Sequence, residues 1–309
     1  MYTILGSGGT VSNELVKLLT ARNLPFRAVR RHAPPVAGAA ENKVADLSNH
    51  AQTVEAVAGA DVVFLLVGLK YDHKLWAAMW PRIMDNTIDA CKRANARLIF
   101  FDNVYMYGRV NSAMTEETPF NPCSKKGEVR AAIAECLINE WKSGGVTAMI
   151  ARAADFYGPG ATYGLPNTLY FEPMSKGQKA MCLVSDSLPH SCTYVPDATQ
   201  ALLTLAETPS AWNQTWHLPT TANPPTAREF IHAAAHAMGV PPKYRILSRS
   251  MVKLIGLFNP IVGEVHEMLY QNDAPYLFDS SKYARAFGSA TTPYADGIRA
   301  TAAGYKRAG

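Results

Sequence analysis

Five short runs rich in β-branched and aromatic residues, separated by longer stretches with apolar residues at helical spacing, constrain this chain more than any other feature. The runs are Tyr2–Leu5, Phe26–Val29, Val62–Val67, Arg97–Phe101 and Thr147–Ala151. Between the first two, Asn13 to Arg22 places Leu15, Leu18 and Leu19 on one face of a helix. Further helices are predicted over Gln52 to Ala58, Leu75 to Ala94 and Lys125 to Lys142. Strand and helix in strict alternation build βαβ units, whose strands pair in parallel. The predicted fold class is therefore α/β, with a Rossmann-type doubly wound parallel sheet.

After about Asp155 this alternation is lost, and Gly, Pro, Tyr and Asn become frequent. We read residues 1–154 as one domain and 155–309 as mainly a smaller C-terminal lobe, with residues 191–208 returning to the first. In the second part, Thr226-Ala-Arg-Glu229 has the spacing of a capping box, which predicts a helix with Ile231, Ala234, Ala235 and Met238 facing inward.

Composition narrows the classes of function. The 309 residues are 48% hydrophobic and 18% charged, which suits a globular protein. No secretory leader is visible before Tyr2, and the longest apolar stretches fall well short of the roughly 20 residues that cross a bilayer. A cytoplasmic chain with no membrane partner is expected. The net charge is +5, but the basic residues are scattered, so nucleic acid is not expected as a partner either. Five scattered cysteines show neither a disulfide framework nor a zinc spacing. His232 and His236 lie four apart, yet Ala233 stands where a zinc protease has its glutamate, so a surface helix is the better reading and no metal is expected.

The run Leu5-Gly6-Ser7-Gly8-Gly9-Thr10-Val11-Ser12 joins the first strand to the first helix. Gly6 permits the tight turn, Gly9 allows backbone to approach a pyrophosphate, and the helix start offers unpaired amides to its charge. Residues Gly6, Ser7, Gly8, Gly9, Thr10 and Val11 are the predicted dinucleotide contacts. After the second strand come Arg30 and Arg31, where an NAD-binding chain would carry an acid. Two guanidinium groups suit a ribose 2′-phosphate, so NADP(H) is favoured over NAD(H). Asp46 and Leu47 are placed to meet an adenine, although the aspartate would serve equally as a turn residue. Val67, at the end of its strand, completes this set.

These residues, with Phe100-Phe101-Asp102-Asn103 running to Tyr107-Gly108, Asn121-Pro122 before a helix, Phe156-Tyr157-Gly158-Pro159-Gly160 and Tyr194-Val195-Pro196-Asp197, carry a resemblance over nearly the whole chain. It resembles the extended branch of the short-chain dehydrogenase/reductase superfamily, in the NAD-dependent epimerase/dehydratase family. The resemblance implies a cofactor domain and a substrate lobe, a small-molecule substrate, and a homodimer paired through two helices. Redox members of that family use a Ser or Thr after the Arg97–Phe101 strand and a Tyr-x-x-x-Lys pair on the next helix. Here those positions fall on Asn103, Lys126 and Arg130.

Arg130 keeps the charge of the family lysine and is expected to bind the nicotinamide ribose. Lys126 has three readings: a proton carrier whose pKa is depressed by a neighbouring cation, a clamp for a substrate carboxylate or phosphate, or a solvated residue on a helix that has lost its catalytic part. Tyr105 is an open candidate for proton donor. Tyr107 is expected to be structural, and Tyr157 to line the nicotinamide pocket by packing. The resulting expectation is an oxidoreductase or epimerase that transfers hydride at a carbonyl or hydroxyl of a small polar or anionic substrate through a non-standard site around Asn103, Tyr105, Lys126 and Arg130. The rival is a non-catalytic NADP(H) sensor.

Overall fold

The computed structural model describes residues 1–32, 34–289 and 291–306. The chain divides into two compact units, of which the first comprises residues 1–106, 125–152 and 199–216. Its strands are β1 (Tyr2–Leu5), β2 (Phe26–Arg30), β3 (Glu41–Val44), β4 (Val62–Leu65), β5 (Arg97–Asp102) and β6 (Ala148–Arg152). The segment Thr215–His217 closes the edge, giving a seven-stranded sheet that reads, from that edge, β6, β5, β4, β1, β2, β3. Every pairing from β6 across to β3 is parallel.

The central strands β1, β4 and β5 are almost entirely buried because helices flank the sheet, and a strand covered on both faces reads as a continuous apolar run. The sequence lacked that signal for β3, whose Glu41-Asn-Lys-Val44 is mostly exposed at the sheet edge. The helices are α1 (Thr10–Ala21), α2 (His50–Val57), α3 (His73–Ala94) and α4 (Lys125–Lys142). Each of the first three starts two or three residues earlier than periodicity predicts, since a first turn is defined by its cap and not by apolar spacing. Asn49 accepts from the Gln52 amide and Asp72 from those of Lys74 and Leu75. The strand predicted to Val67 stops at Leu65, with Leu66 N–H donating to Leu5 C=O beyond the register.

The second unit comprises residues 107–124, 153–198 and 217–309. The returning segment is 199–216, which shares 199–208 with the expected 191–208. Residues 192–194 pair elsewhere: β7 (Asp155–Tyr157) lies parallel to β9 (Cys192–Tyr194), and β8 (Ala180–Leu183) parallel to β11 (Tyr244–Leu247), with β10 being the sheet-edge segment Thr215–His217. Helices α5 (Glu172–Ser175), α6 (Val195–Glu207), α7 (Ala227–Met238), α8 (Arg249–Gly256), α9 (Pro260–His266), α10 (Ser281–Phe287) and α11 (Tyr294–Lys306) complete the chain. The Thr226/Glu229 capping box forms at the start of α7, which buries Phe230, Ile231, Ala234 and Ala235. Met238, expected inside, is only half-buried.

Candidate active site

The loop between β1 and α1 is built from backbone. Gly6 (φ +95°) and Gly8 (φ +105°) adopt conformations that L side chains rarely enter. A Cβ on Gly6 would stand 2.8 Å from Val67 Cα, so Gly6 is required both by its dihedral and by the close approach of the chain after β4. The Gly6 and Ser7 amides donate to Val29 C=O, and the Gly8 amide donates to Ser12 Oγ. Ser7 Oγ donates to Ile4 C=O, which fixes the turn from within. Gly9 is the N-cap of α1 and brings no side-chain cap, so the amides of Thr10 and Val11 have no partner inside the helix. Positive φ at two glycines and an uncapped helix start fit a diphosphate.

The two arginines after β2 are placed differently. A Cβ on Gly8 would stand 3.2 Å from Arg30 Nη2, so the Arg30 guanidinium lies against the glycine loop, where its Nη1 also donates to Pro34 C=O. Arg31 is exposed and lowers the pKa of Asp46 by its charge, behind the larger effect of the Ser48 amide and hydroxyl that donate to that carboxylate. Asp46 is thus a turn residue. Leu47 is buried, and its carbonyl accepts from Thr53 Oγ1 and Asn86 Nδ2.

The β5 end and α4 bring the candidate catalytic residues into one unit. Asn103 Oδ1 accepts from the Tyr105 amide at 3.0 Å, starting the single turn over Tyr105–Tyr107. Tyr105 stacks nearly parallel on Trp76, with ring centroids 6.3 Å apart. Its hydroxyl accepts from Tyr71 OH at 3.4 Å, and Lys126 Nζ lies 4.4 Å from the centroid of the Tyr71 ring. Lys126 is completely buried, which removes the reading of a solvated side chain. A cation held over an aromatic face away from water is stabilised by the ring quadrupole.

Arg130 was expected at a ribose, and the structure gives it other partners. Its guanidinium carbon lies 4.2 Å from the Trp80 ring centroid, 4.9 Å from Trp76 and 5.6 Å from Phe100, while Nη1 is 3.2 Å from Asp102 Oδ1. Arg152 Nε approaches the other carboxylate oxygen at 3.7 Å. All three charged residues are buried. Burial pushes the Asp102 carboxyl up, opposed by Arg130 and Arg152; burial likewise lowers the Arg130 pKa, opposed by Asp102, Tyr105 and Tyr71. The arrangement clamps α3 and α4 to the end of β5.

Tyr71, Trp76 and Trp80 were missed by sequence reading. The two tryptophans stand four apart on α3 and therefore share a face, which was the available signal. Tyr71 lies in the connection before α3 and follows no motif.

In the second unit, Tyr157 is 1% exposed, stacked on Tyr294 at 5.9 Å and set edge-on to Phe230. This enclosure makes it a packing residue and offers no ring face to a ligand. Tyr107 is structural as expected: its hydroxyl is 2.9 Å from His217 Nε2, and both are fully buried. Burial pushes the Cys182 thiol up to about 12 and raises that of Cys192 well above the ordinary thiol range, which disfavours the thiolate at both. His232 and His236 are exposed on α7. None of the described helices is long and apolar enough to cross a membrane.

A search among curated proteins returns no match. Solved structures share the fold at low identity. The UDP-glucose 4-epimerase of Thermus thermophilus, solved with NAD, superposes with a TM-score of 0.81 at 18% identity, covering 100% of both chains. The dTDP-glucose 4,6-dehydratase DesIV of Streptomyces venezuelae, a double mutant with NAD bound, gives 0.80 at 15%, over 99% of this chain and 97% of its own. A point mutant of the UDP-glucuronic acid 4-epimerase of Bacillus cereus, with NAD and UDP-4-deoxy-4-fluoro-glucuronic acid, gives 0.80 at 14%, over 100% and 99%. The sequence model of the NAD dependent epimerase/dehydratase family matches residues 2–217, well over half the chain, and the chain belongs to that family.

Proposed function

We propose that the protein is a nicotinamide-dinucleotide oxidoreductase or epimerase whose proton chemistry runs through Tyr105, Tyr71 and Lys126. The observation that carries this reading is the contact chain itself: a buried ammonium over the Tyr71 ring and a hydroxyl-to-hydroxyl bond from Tyr71 to Tyr105. The dinucleotide, when bound, accepts or supplies a hydride at a carbon bearing oxygen. Tyr105 exchanges a proton with that oxygen, Tyr71 replenishes Tyr105, and the Lys126 charge favours the phenolate form. Asn103 sets the position of Tyr105 through its amide. Arg130 acts as a positioning residue through Asp102 and the tryptophans of α3.

For the cofactor, the Gly6–Gly9 turn, closed by Val67, would seat the diphosphate against the Thr10 and Val11 amides at the start of α1. Arg30, with Arg31 beyond it, engages a ribose 2′-phosphate, so the reading is NADP(H). The similar structures named above were solved with NAD, which makes NAD the alternative. Titration calorimetry decides between them: NADP+ binding at least about tenfold tighter than NAD+ supports the arginine pair, and equal or weaker binding removes it.

The substrate we propose is small and polar or anionic, with sugar nucleotides first on the panel because similar structures carry them. The test is the change in reduced-nicotinamide absorbance or the formation of an epimer with UDP- and dTDP-sugars, aldehydes and ketones, repeated with Tyr105→Phe. A loss of turnover in that variant at unchanged cofactor affinity supports the reading, and unchanged turnover removes it.

One observation favours a second reading, the sensor. Asn103, which the resemblance puts at the family's hydroxyl position, spends its side-chain oxygen on backbone, and Lys126, which it puts at the tyrosine position, is sealed from water. Cofactor binding with no turnover across the panel points to it. The free state of all five cysteines suits a reducing, cytoplasmic compartment. Helices α3 and α4, which pack on each other, are the faces we propose for a homodimer.

A further inference from the structure

Among the described residues, nine large hydrophobic side chains are exposed, and seven of them fall between Ile246 and Ile261. All but Ile246, which is on β11, lie on the α8–α9 hairpin of the second unit. The two helices meet at glycines: a Cβ on Gly256 would stand 2.8 Å from Gly263 Cα. That contact lets α8 and α9 pack as one body, and their inner face is satisfied, since Val252, Val262 and Val265 pack on Leu183, Leu247 and Leu269. The outer face is the opposite of what a water-facing helix pair carries. Leu254, Leu257, Phe258 and Ile261 are open to solvent, Phe258 at 85% and Leu257 at 74%.

Charge says what this face suits. Between Lys243 and Glu267, which caps α9, the chain has four basic residues, Lys243, Arg245, Arg249 and Lys253, against two acidic residues, Glu264 and Glu267, both half-buried. All four cations are exposed. Arg249 is engaged with Asp273, while Arg245 and Lys253 make no ion pair among the described residues, Arg245 donating to Met181 Sδ at 3.8 Å. Lys253 sits beside Leu254 on α8, about 100° from it around the helix axis, so cation and apolar surface adjoin. An isologous contact of two copies through this face would oppose like charges. A surface of anionic lipid would meet the cations at its headgroups and take the leucines and phenylalanine at the acyl boundary.

We propose that the α8–α9 hairpin is a peripheral membrane-docking surface that binds anionic bilayers. The chain would lie on the membrane with this hairpin shallowly inserted, which requires no spanning helix. The proposal is independent of the redox reading, because none of its residues belongs to the β1–α1 loop or the β5–α4 site.

The test is co-sedimentation of the full chain with vesicles of phosphatidylcholine mixed with phosphatidylglycerol, compared with phosphatidylcholine alone. Binding is expected only to the anionic vesicles and is expected to weaken as salt is raised. The double variants Leu257→Asp/Phe258→Asp and Arg245→Glu/Lys253→Glu should each lower the bound fraction by about tenfold or more. Both change exposed side chains, so circular dichroism and the melting temperature should stay as in the parent chain. No pelleting with anionic vesicles at low salt would overturn the proposal, as would undiminished pelleting of Leu257→Asp/Phe258→Asp. A concentration-dependent dimer abolished by Phe258→Asp, with no vesicle binding, would overturn it in favour of self-association.

Discussion

The β1–α1 loop and the β5–α4 site belong to the same unit and are made from different material. At the loop, positive φ at Gly6 and Gly8 and the uncapped start of α1 present backbone amides, with one side chain, Arg30, laid against them. At the β5 end nearly everything is side chain: Asp102 between two arginines, a guanidinium enclosed by Trp76, Trp80 and Phe100, and Lys126 over Tyr71. Backbone recognition requires only that glycine stay glycine, so it can persist while the rest of the sequence drifts. Side-chain chemistry can be replaced piece by piece, provided charge and burial remain balanced.

The sharpest way to break this comparison is Lys126→Met, which keeps the length of the side chain and removes its charge. On the enzymatic reading, turnover should fall by about 10²- to 10⁴-fold, with cofactor affinity from calorimetry nearly unchanged. A parallel loss of affinity would mean that the two regions are not separable. Next in size is Arg130→Met, which leaves Asp102 with Arg152 alone in a buried setting. We expect a loss of about 3–5 kcal/mol in denaturant unfolding, together with altered tryptophan emission. Stability close to that of the parent chain would contradict a clamping role.

At the loop, Gly6→Val puts a Cβ against Val67 and forces a strained dihedral, worth about 1–3 kcal/mol. The expected readout is cofactor affinity weakened by roughly 10- to 100-fold, while the sheet stays intact by circular dichroism. The smallest effect should come from Arg30→Ala, which on the 2′-phosphate reading lowers affinity for NADP+ by about tenfold and leaves affinity for NAD+ unchanged. Arg31→Ala should do less, since Arg31 is the more exposed and lies near Asp46.

Legibility follows the same division. The strands buried on both faces, such as Val62–Leu65 and Arg97–Asp102, were readable because burial on two sides demands an apolar run. The edge strand Glu41–Val44 was not, because an exposed edge places no such demand. Gly6 and Gly8 were readable as a loop from their position between strand and helix. Arg130 was read from its spacing to Lys126, and that spacing holds on α4, but spacing does not report what a guanidinium faces across to α3. Tyr71 joins the site only through tertiary contact, so nothing local in Lys70-Tyr71-Asp72 could announce it. The return segment starts later than the sequence suggests because Cys192–Tyr194, alternating like any strand, pairs with β7 in the second unit.

The stack of Tyr105 on Trp76, with Trp80 edge-on at 6.4 Å, has an optical consequence. An indole seated against the proposed proton donor is a fluorophore placed at the proposed site. Reduced nicotinamide absorbs where indole emits, so quenching of intrinsic emission on titration would report occupancy without a label or a substrate in hand.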